Sequence, residues 1–174
     1  MAPRKLLNIE LGRISAEEYR TRRPKSGIVV VLDNVRSAHN TGSAFRTADA
    51  FGVDKVFLGG ITPVPPSPEL HKVALGAEEV LPSEHVEDVV GLVRRLRADG
   101  YTVVAVEQTV DSVKLDTFHR TPGARYALVF GNEVDGVQQA VVDECDFALE
   151  IPQQGTKHSL NVSVSVGVVL WACR

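Results

Sequence analysis

The sequence predicts an α/β protein with a mostly parallel sheet covered by helices on both faces. Two observations carry this. From residue 28 onward, short apolar runs alternate with segments of helical spacing. The runs themselves are nearly continuous in apolar residues rather than alternating with polar ones, which is how strands buried on both faces read. At 174 residues with 44% hydrophobic and 24% charged content, the chain suits one domain with a real core.

The elements follow in order. "GIVVVLDN" is a β-branched run ended by Asp33-Asn34, a strand and its turn, and "DKVFLGG" repeats that form. Between them, "NTGSAFRTADAFGV" begins as a turn and continues as a helix, with Arg46 set among the apolar residues Ala44, Phe45, Ala48 and Phe51. "TPVPPSPEL" (62–70) is a proline-rich loop, whose fixed φ angles and missing donors exclude regular structure. "EEVLP" reads as a third short strand. "VEDVVGLVRRLRADG" (86–100) places Val86, Val89, Val90, Val93 and Leu96 at helical spacing and stops at Gly100. "YTVVAVEQ", "RYALVFGNE" and "CDFALEIP" are further strands, and "GVQQAVVDEC" between the last two reads as a helix. The final "NVSVSVGVVLW" is ambiguous. Its Val/Ser alternation is that of a half-buried strand, yet Leu160, Val164, Val168 and Trp171 also fall at helical spacing. In a helix, Ser163 and Gly167 would be small residues four apart, admitting a close backbone approach.

Composition excludes several classes. No segment has the length of a membrane span or the form of a secretory signal. Cys145 and Cys173 make neither a zinc spacing nor a disulfide framework, which points to a reducing cytoplasm. The net charge is −3, unevenly placed. Residues 1–27 carry Arg4, Lys5, Arg13, Arg20, Arg22, Arg23 and Lys25 against Glu10, Glu17 and Glu18, leaving the rest of the chain at −7. The chain therefore divides into a basic leader (1–27) and a folded domain (28–174). The leader is either a solvated tail or an arm that reaches phosphates.

In parallel sheets ligands collect beyond the carboxyl ends of the strands. Four post-strand loops are candidates: "DNVRSAHNTGS", "VEQTVDS", "FGNEVDG" and "IPQQGTKHSLN". None has the G-x-G-x-x-G or G-x-x-x-x-G-K-[ST] spacing of a phosphate cradle. No set of His, Cys and carboxylate residues has metal-ligand spacing, so no metal is expected; His71 and His158 read as surface or hydrogen-bonding residues. Each polar residue in the loops also has a plain structural use. Asn40 and Ser43 suit helix capping, as does Ser159. Gly131-Asn132 suits a turn, and Glu133 suits the first turn of a helix. Arg46, about a turn into a helix, has no such use.

Taken together, "NTGSAFRTADAFGV", "LVFGNEVDGV" and "IPQQGTKHSLNVSVSVGVVLW" resemble the three ordered motifs of the SpoU (TrmH-like) family of the SPOUT superfamily. These are S-adenosyl-L-methionine-dependent RNA ribose 2′-O-methyltransferases. The resemblance runs from about Ile28 to the C-terminus. It implies that the last segment is a helix and that it is tucked through a loop as a deep trefoil knot. Carried over by position, it implies Asn40, Arg46, Glu133, Ser159 and Asn161 as catalytic residues. It also implies cofactor contacts around Gly131, Ile151 and Leu160, largely through main-chain groups. Gly131 would let the backbone come close to the ligand. The family's partners, RNA (transfer or ribosomal) and a second copy of the chain, are implied with them.

The implied reaction transfers a methyl group from a sulfonium to a ribose hydroxyl, so the enzyme's task is alignment and activation of the 2′-oxygen. A guanidinium hardly gives up its proton. Arg46 is therefore expected to stay charged and stabilise the developing 2′-alkoxide, rather than act as a literal base. A catalytically silent RNA-binding protein of the same fold is the alternative, and a base methyltransferase of the superfamily fits the motifs less well. Many relatives carry a separate N-terminal RNA-binding domain. Here the basic leader and the dimer surface, or a partner protein, are expected to hold the RNA, with binding that falls steeply with salt.

Overall fold

The computed structural model describes residues 3–12, 14–22 and 26–174. A 3₁₀ turn (Asn8–Leu11) and helix α1 (Ala16–Arg22) precede the sheet. Then follow β1 (Ile28–Asp33), α2 (Ala38–Ala50), β2 (Lys55–Gly59), α3 (Pro68–Ala74), α4 (Ala77–Val80), β3 (Ser83–Val86) and α5 (Val89–Ala98). The second half comprises β4 (Tyr101–Val106), β5 (Val113–Lys114), β6 (Arg125–Phe130), α6 (Gln139–Val142), β7 (Phe147–Glu150) and α7 (Val162–Ala172). The seven strands form one sheet in the order β3-β2-β1-β6-β4-β7-β5, and every pairing is parallel. The α/β, two-faced architecture read from the sequence is the one observed.

Alternation along the strands builds two cores. Val30, Leu32, Leu58, Leu128 and Phe130 face Phe45, Leu70, Val169 and Leu170 of the α2, α3 and α7 layer. Val29, Val31, Phe57, Ala127 and Val129 face Val89, Leu92, Val93 and Leu96 of α5 and Val141 of α6. Strands buried on both faces need apolar residues at every position, and β1 is buried along its whole length.

Several elements differ from the sequence reading. Glu78 and Glu79 lie in the single helical turn α4, and the third strand is Ser83–Val86, starting five residues farther on. That strand is an edge, paired only with β2, so it buries little and carries no apolar run to betray it. Val86 accordingly ends a strand, and the helix that follows begins at Val89, with Leu92 among its buried residues. The proline-rich loop ends in α3, where Pro68 takes the first helical position after the cap Ser67. "GVQQAVVDEC" holds one turn only. The last segment is a helix, as the resemblance implies. Its Leu160, Val164, Val168 and Trp171, however, stand outward at 41%, 50%, 37% and 57% exposure, while Val166, Val169, Leu170 and Cys173 are buried.

The close helix approach also lies elsewhere than expected. A Cβ at Gly167 would meet Thr47 at an ordinary 3.7 Å, so α7 needs no glycine there. A Cβ at Gly42 would stand 2.5 Å from the Leu70 carbonyl oxygen and 3.1 Å from Val73 Cβ, which lets α2 and α3 pack backbone to backbone. Gly42→Ala is therefore expected to destabilise the fold by roughly 1–3 kcal/mol, read as a lowered midpoint in urea unfolding.

Ahead of β1, Asp54 accepts the Ser26 and Gly27 N–H groups, both at 3.0 Å, and α1 packs on α4. Of the leader's basic residues, Arg13, Arg23 and Lys25 lie outside the described residues, as do the side chains of Arg20 and Arg22. Arg4 pairs with Glu10 at 2.7 Å on the surface. Among the described residues no helix is long and apolar enough to cross a membrane.

Candidate active site

Parallel strands bring the loops that follow them to one end of the sheet. Beyond the ends of β4, β6 and β7 lies a cavity of about 680 Å³. Val106, Leu149, Ile151 and Leu160 supply apolar wall, and Glu107 and Asn132 supply polar edge. Gly131, Glu133, Ser159 and Asn161 line the same cavity. Three of the four candidate loops thus meet there.

The fourth loop, after β1, is tied to them by hydrogen bonds. Glu133 Oε1 accepts from the Asn40 side-chain amide at 2.9 Å, and Asn40 Oδ1 accepts from Asn161 Nδ2 at 3.1 Å. Residues 40, 133 and 161, far apart in the chain, form one chain of contacts. Glu133 also accepts from the N–H groups of Arg36 (3.0 Å) and Ser37 (3.2 Å), at the entry to α2. It does sit at a helix N-terminus, but that of α2 rather than its own. The cap of α2 is Ser37, which accepts from the Asn40 N–H, so the Asn40 side chain is free to reach Glu133. Asn161, not Ser159, caps α7 by accepting from the Ser163 N–H at 2.9 Å.

Burial pushes the Glu133 carboxyl up, but the Arg36 N–H, the Asn40 amide and further backbone donors outweigh it and hold its pKa below the usual carboxylate range. A depressed pKa contributes stability above the unfolded value, about 4.3, which is lost as pH falls through the folded value. The stability gap between the native protein and Glu133→Gln should be open at neutral pH and close as the solution is acidified. Urea melts at a series of pH values read it directly.

Gly131 lines the cavity and is also required by its own loop. A Cβ there would lie 2.0 Å from the Gly136 carbonyl carbon and 2.1 Å from the Val137 nitrogen. What approaches Gly131 is the far end of its own loop, closed by the reciprocal Asn132 and Gly136 backbone bonds at 2.9 and 3.0 Å.

Arg46 also departs from expectation. It is exposed, on the solvent side of α2, while Ala44, Phe45 and Ala48 point into the core. It does not line the cavity. Its neighbour Thr47 faces Gly167 of α7, and Phe51 meets Trp171 edge to face at 6.3 Å. Arg46 therefore sits on the outer surface beside the α2–α7 contact.

Asn132, Glu107 and His158 were not singled out as site residues from the sequence. Asn132 donates to the Asn34 carbonyl at 2.8 Å, and the His158 carbonyl accepts from Gln108 Nε2 at 2.5 Å across the cavity mouth. Their signal was position, since each follows a strand of a parallel sheet. His71 pairs with Glu78 across the α3–α4 turn at 2.5 Å, and that bond, with the charge of Glu78, raises its pKa.

With this geometry in hand, similarity to known proteins is specific. Residues 27–171 match the model of the SpoU rRNA Methylase family. The 23S rRNA (guanosine-2′-O-)-methyltransferase RlmB of Neisseria meningitidis is 34% identical over 143 residues, 82% of this chain and 56% of that protein. RlmB of Pseudomonas putida is 31% identical over 160 residues, 92% of this chain and 63% of that protein. The chain thus spans less than two thirds of these curated relatives. An AdoMet-bound rRNA methyltransferase from Sinorhizobium meliloti superposes with a TM-score of 0.78 at 31% identity, covering 86% of this chain and 56% of that one. The A. aeolicus TrmH/SpoU tRNA modifying enzyme does so with 0.78 at 27% identity, covering 90% and 81%. By its sequence motifs, its sheet and its match over most of its length, the chain belongs to the SpoU rRNA methylase family.

Proposed function

We propose that the chain is an S-adenosylmethionine-dependent RNA methyltransferase that methylates a ribose 2′-hydroxyl of transfer or ribosomal RNA. On this reading it works in the cytoplasm as a homodimer whose C-terminal segment is threaded as a trefoil knot. The observation that carries the reading is the chain of hydrogen bonds Glu133–Asn40–Asn161 at the rim of one cavity. It is supported by family membership and by the AdoMet-bound relative.

The cavity fits the cofactor on its own terms. At about 680 Å³ it has the volume for a ligand of this size, and its largely polar lining, backed by Val106, Leu149, Ile151 and Leu160, suits a cofactor that carries charged and hydrogen-bonding groups beside a flat ring. Gly131, Ile151 and Leu160 line the cavity and would offer main-chain groups to an adenine edge, with Val106, Leu149 and Leu160 as apolar wall for its ring. When bound, S-adenosylmethionine supplies an electrophilic methyl group. The protein's own part is geometry and charge. Asn40, Glu133 and Asn161 fix one another's rotamers, Ser159 holds the RNA at the cavity mouth, and Arg46 stabilises the forming alkoxide as a fixed cation.

Arg46 meets a cavity best in the dimer. Leu160, Val164, Val168 and Trp171 expose an apolar stripe next to the α2–α7 contact, and covering it with a second copy carries Arg46 into the interface. Trp171→Asp is expected to give a monomer at micromolar concentration by sedimentation velocity, where the native protein sediments as a dimer. The basic leader would then add phosphate contacts.

Calorimetry with S-adenosylmethionine, followed by methylation of RNA from a strain lacking the protein, tests the whole reading. Saturable binding and a 2′-O-methylated nucleoside by mass spectrometry are expected. Binding of RNA without binding of the cofactor would instead mark a silent RNA-binding protein, and a methylated base would mark the other branch of the superfamily.

A further inference from the structure

Two carboxylates from the strands flanking β6 grip consecutive N–H groups at the end of the loop that leaves β6. Glu107, the first residue beyond β4, accepts from the Val137 N–H at 3.1 Å and from the Gln108 N–H at 2.8 Å. Asp33, the last residue of β1, is fully buried. It accepts from the Gln138 N–H at 2.9 Å, the Gln138 side-chain amide at 2.7 Å and the Asn34 side-chain amide at 2.8 Å. Since β1 and β4 are the two neighbours of β6, the loop is held from both sides at once. Its near end is fixed by the Asn132 bond to the Asn34 carbonyl. Gly136 lies against this grip at φ 69°, where a Cβ would stand 2.2 Å from Glu107 Oε2.

The chemistry of the grip is stronger than a turn requires. A buried carboxylate is costly unless fully hydrogen-bonded, and Asp33 has three donors. Bonds to a charged acceptor are roughly twice as strong as neutral ones. The gripped loop carries Gly131 and Glu133 at the cavity. A loop that reads a ligand through its main chain has only its position to offer, and a small displacement removes affinity.

Resting on the cofactor reading above, we infer that Asp33 and Glu107 are positioning residues that fix the 131–138 main chain for S-adenosylmethionine. Asp33 acts from beneath the sheet end through Gln138, and Glu107 acts through Val137. Neither takes part in methyl transfer.

Asp33→Asn and Glu107→Gln, made in the full chain, replace a charged acceptor with a group that must turn a donor toward a donor. Amide hydrogen exchange over 131–138 is expected to quicken by about ten-fold or more, with β4 and α5 unchanged. The Kd for S-adenosylmethionine should rise by about ten-fold in both variants, while in Asp33→Asn, whose side chain does not line the cavity, the single-turnover rate at saturating cofactor stays within about three-fold. Should Asp33→Asn not fold, Glu107→Gln carries the test, because Glu107 is only half-buried. Unchanged exchange in both variants overturns the grip. Faster exchange with unchanged affinity overturns its link to the cofactor, and so does a lost rate at unchanged affinity. If the native protein binds no S-adenosylmethionine while exchange still quickens, the cofactor reading fails and the grip stands as a loop-stabilising device alone.

Discussion

Arg46→Ala is expected to lower single-turnover methyl transfer by about 10²–10³-fold, the cost of removing a preorganised group from a developing oxyanion. The melting temperature should scarcely move. Arg46 is exposed on the solvent side of α2, and surface substitutions of this kind usually stay within about 0.5 kcal/mol. Such a combination is diagnostic, because a structural arginine would lose stability and activity together. Affinity for S-adenosylmethionine should hold, since a cation that stabilises the forming alkoxide acts on the ribose oxygen and not on the cofactor. Arg46→Lys keeps the charge but loses the planar fork, and should recover little of the rate if the guanidinium orients the ribose as well as stabilising it. A near-neutral ionisation in the pH–rate profile that vanishes in Arg46→Ala would instead show the side chain exchanging a proton.

Gly131→Ala should have an effect as large and of the opposite character. The new methyl group would stand 2.0 and 2.1 Å from backbone atoms of Gly136 and Val137, and no rotamer relieves a clash with backbone. The loop from 131 to 138 must open. Opening it parts the Asn132–Gly136 bonds and displaces Glu133 from Asn40. Cofactor affinity is expected to fall by about 100-fold or more, corresponding to a loss of roughly 2.7 kcal/mol, as measured by calorimetry. Unfolding should also shift to lower urea, because strain forced into a packed element costs about 1–3 kcal/mol. Gly131 and Arg46 thus separate two halves of the site: one variant binds without turning over, and the other scarcely binds.

The legibility of this molecule tracks burial. Central strands such as Ile28–Asp33 and Arg125–Phe130 are buried almost throughout, and their continuous apolar runs are plain in the sequence. Edge strands are not. Ser83–Val86 and Val113–Lys114 bury little and show no run of their own. The final helix was ambiguous because it is apolar nearly all round, which erases the helical period. The stripe visible in its sequence belongs to the outward side. Among the site residues, Asn40, Glu133 and Asn161 were reachable only through their motif context, since their partners lie 93 and 121 residues away. Glu107 and Asp33 carry no motif at all, and only strand order makes them neighbours of one loop.

The hydrogen bond from Asn161 to Asn40 sets a time of assembly as well as a shape. Its donor follows its acceptor by 121 residues, so a growing polypeptide has no finished pocket until Asn161 has been added. A chain stopped just ahead of that point would hold all seven strands, the last of which ends at Glu150, and still lack this bond.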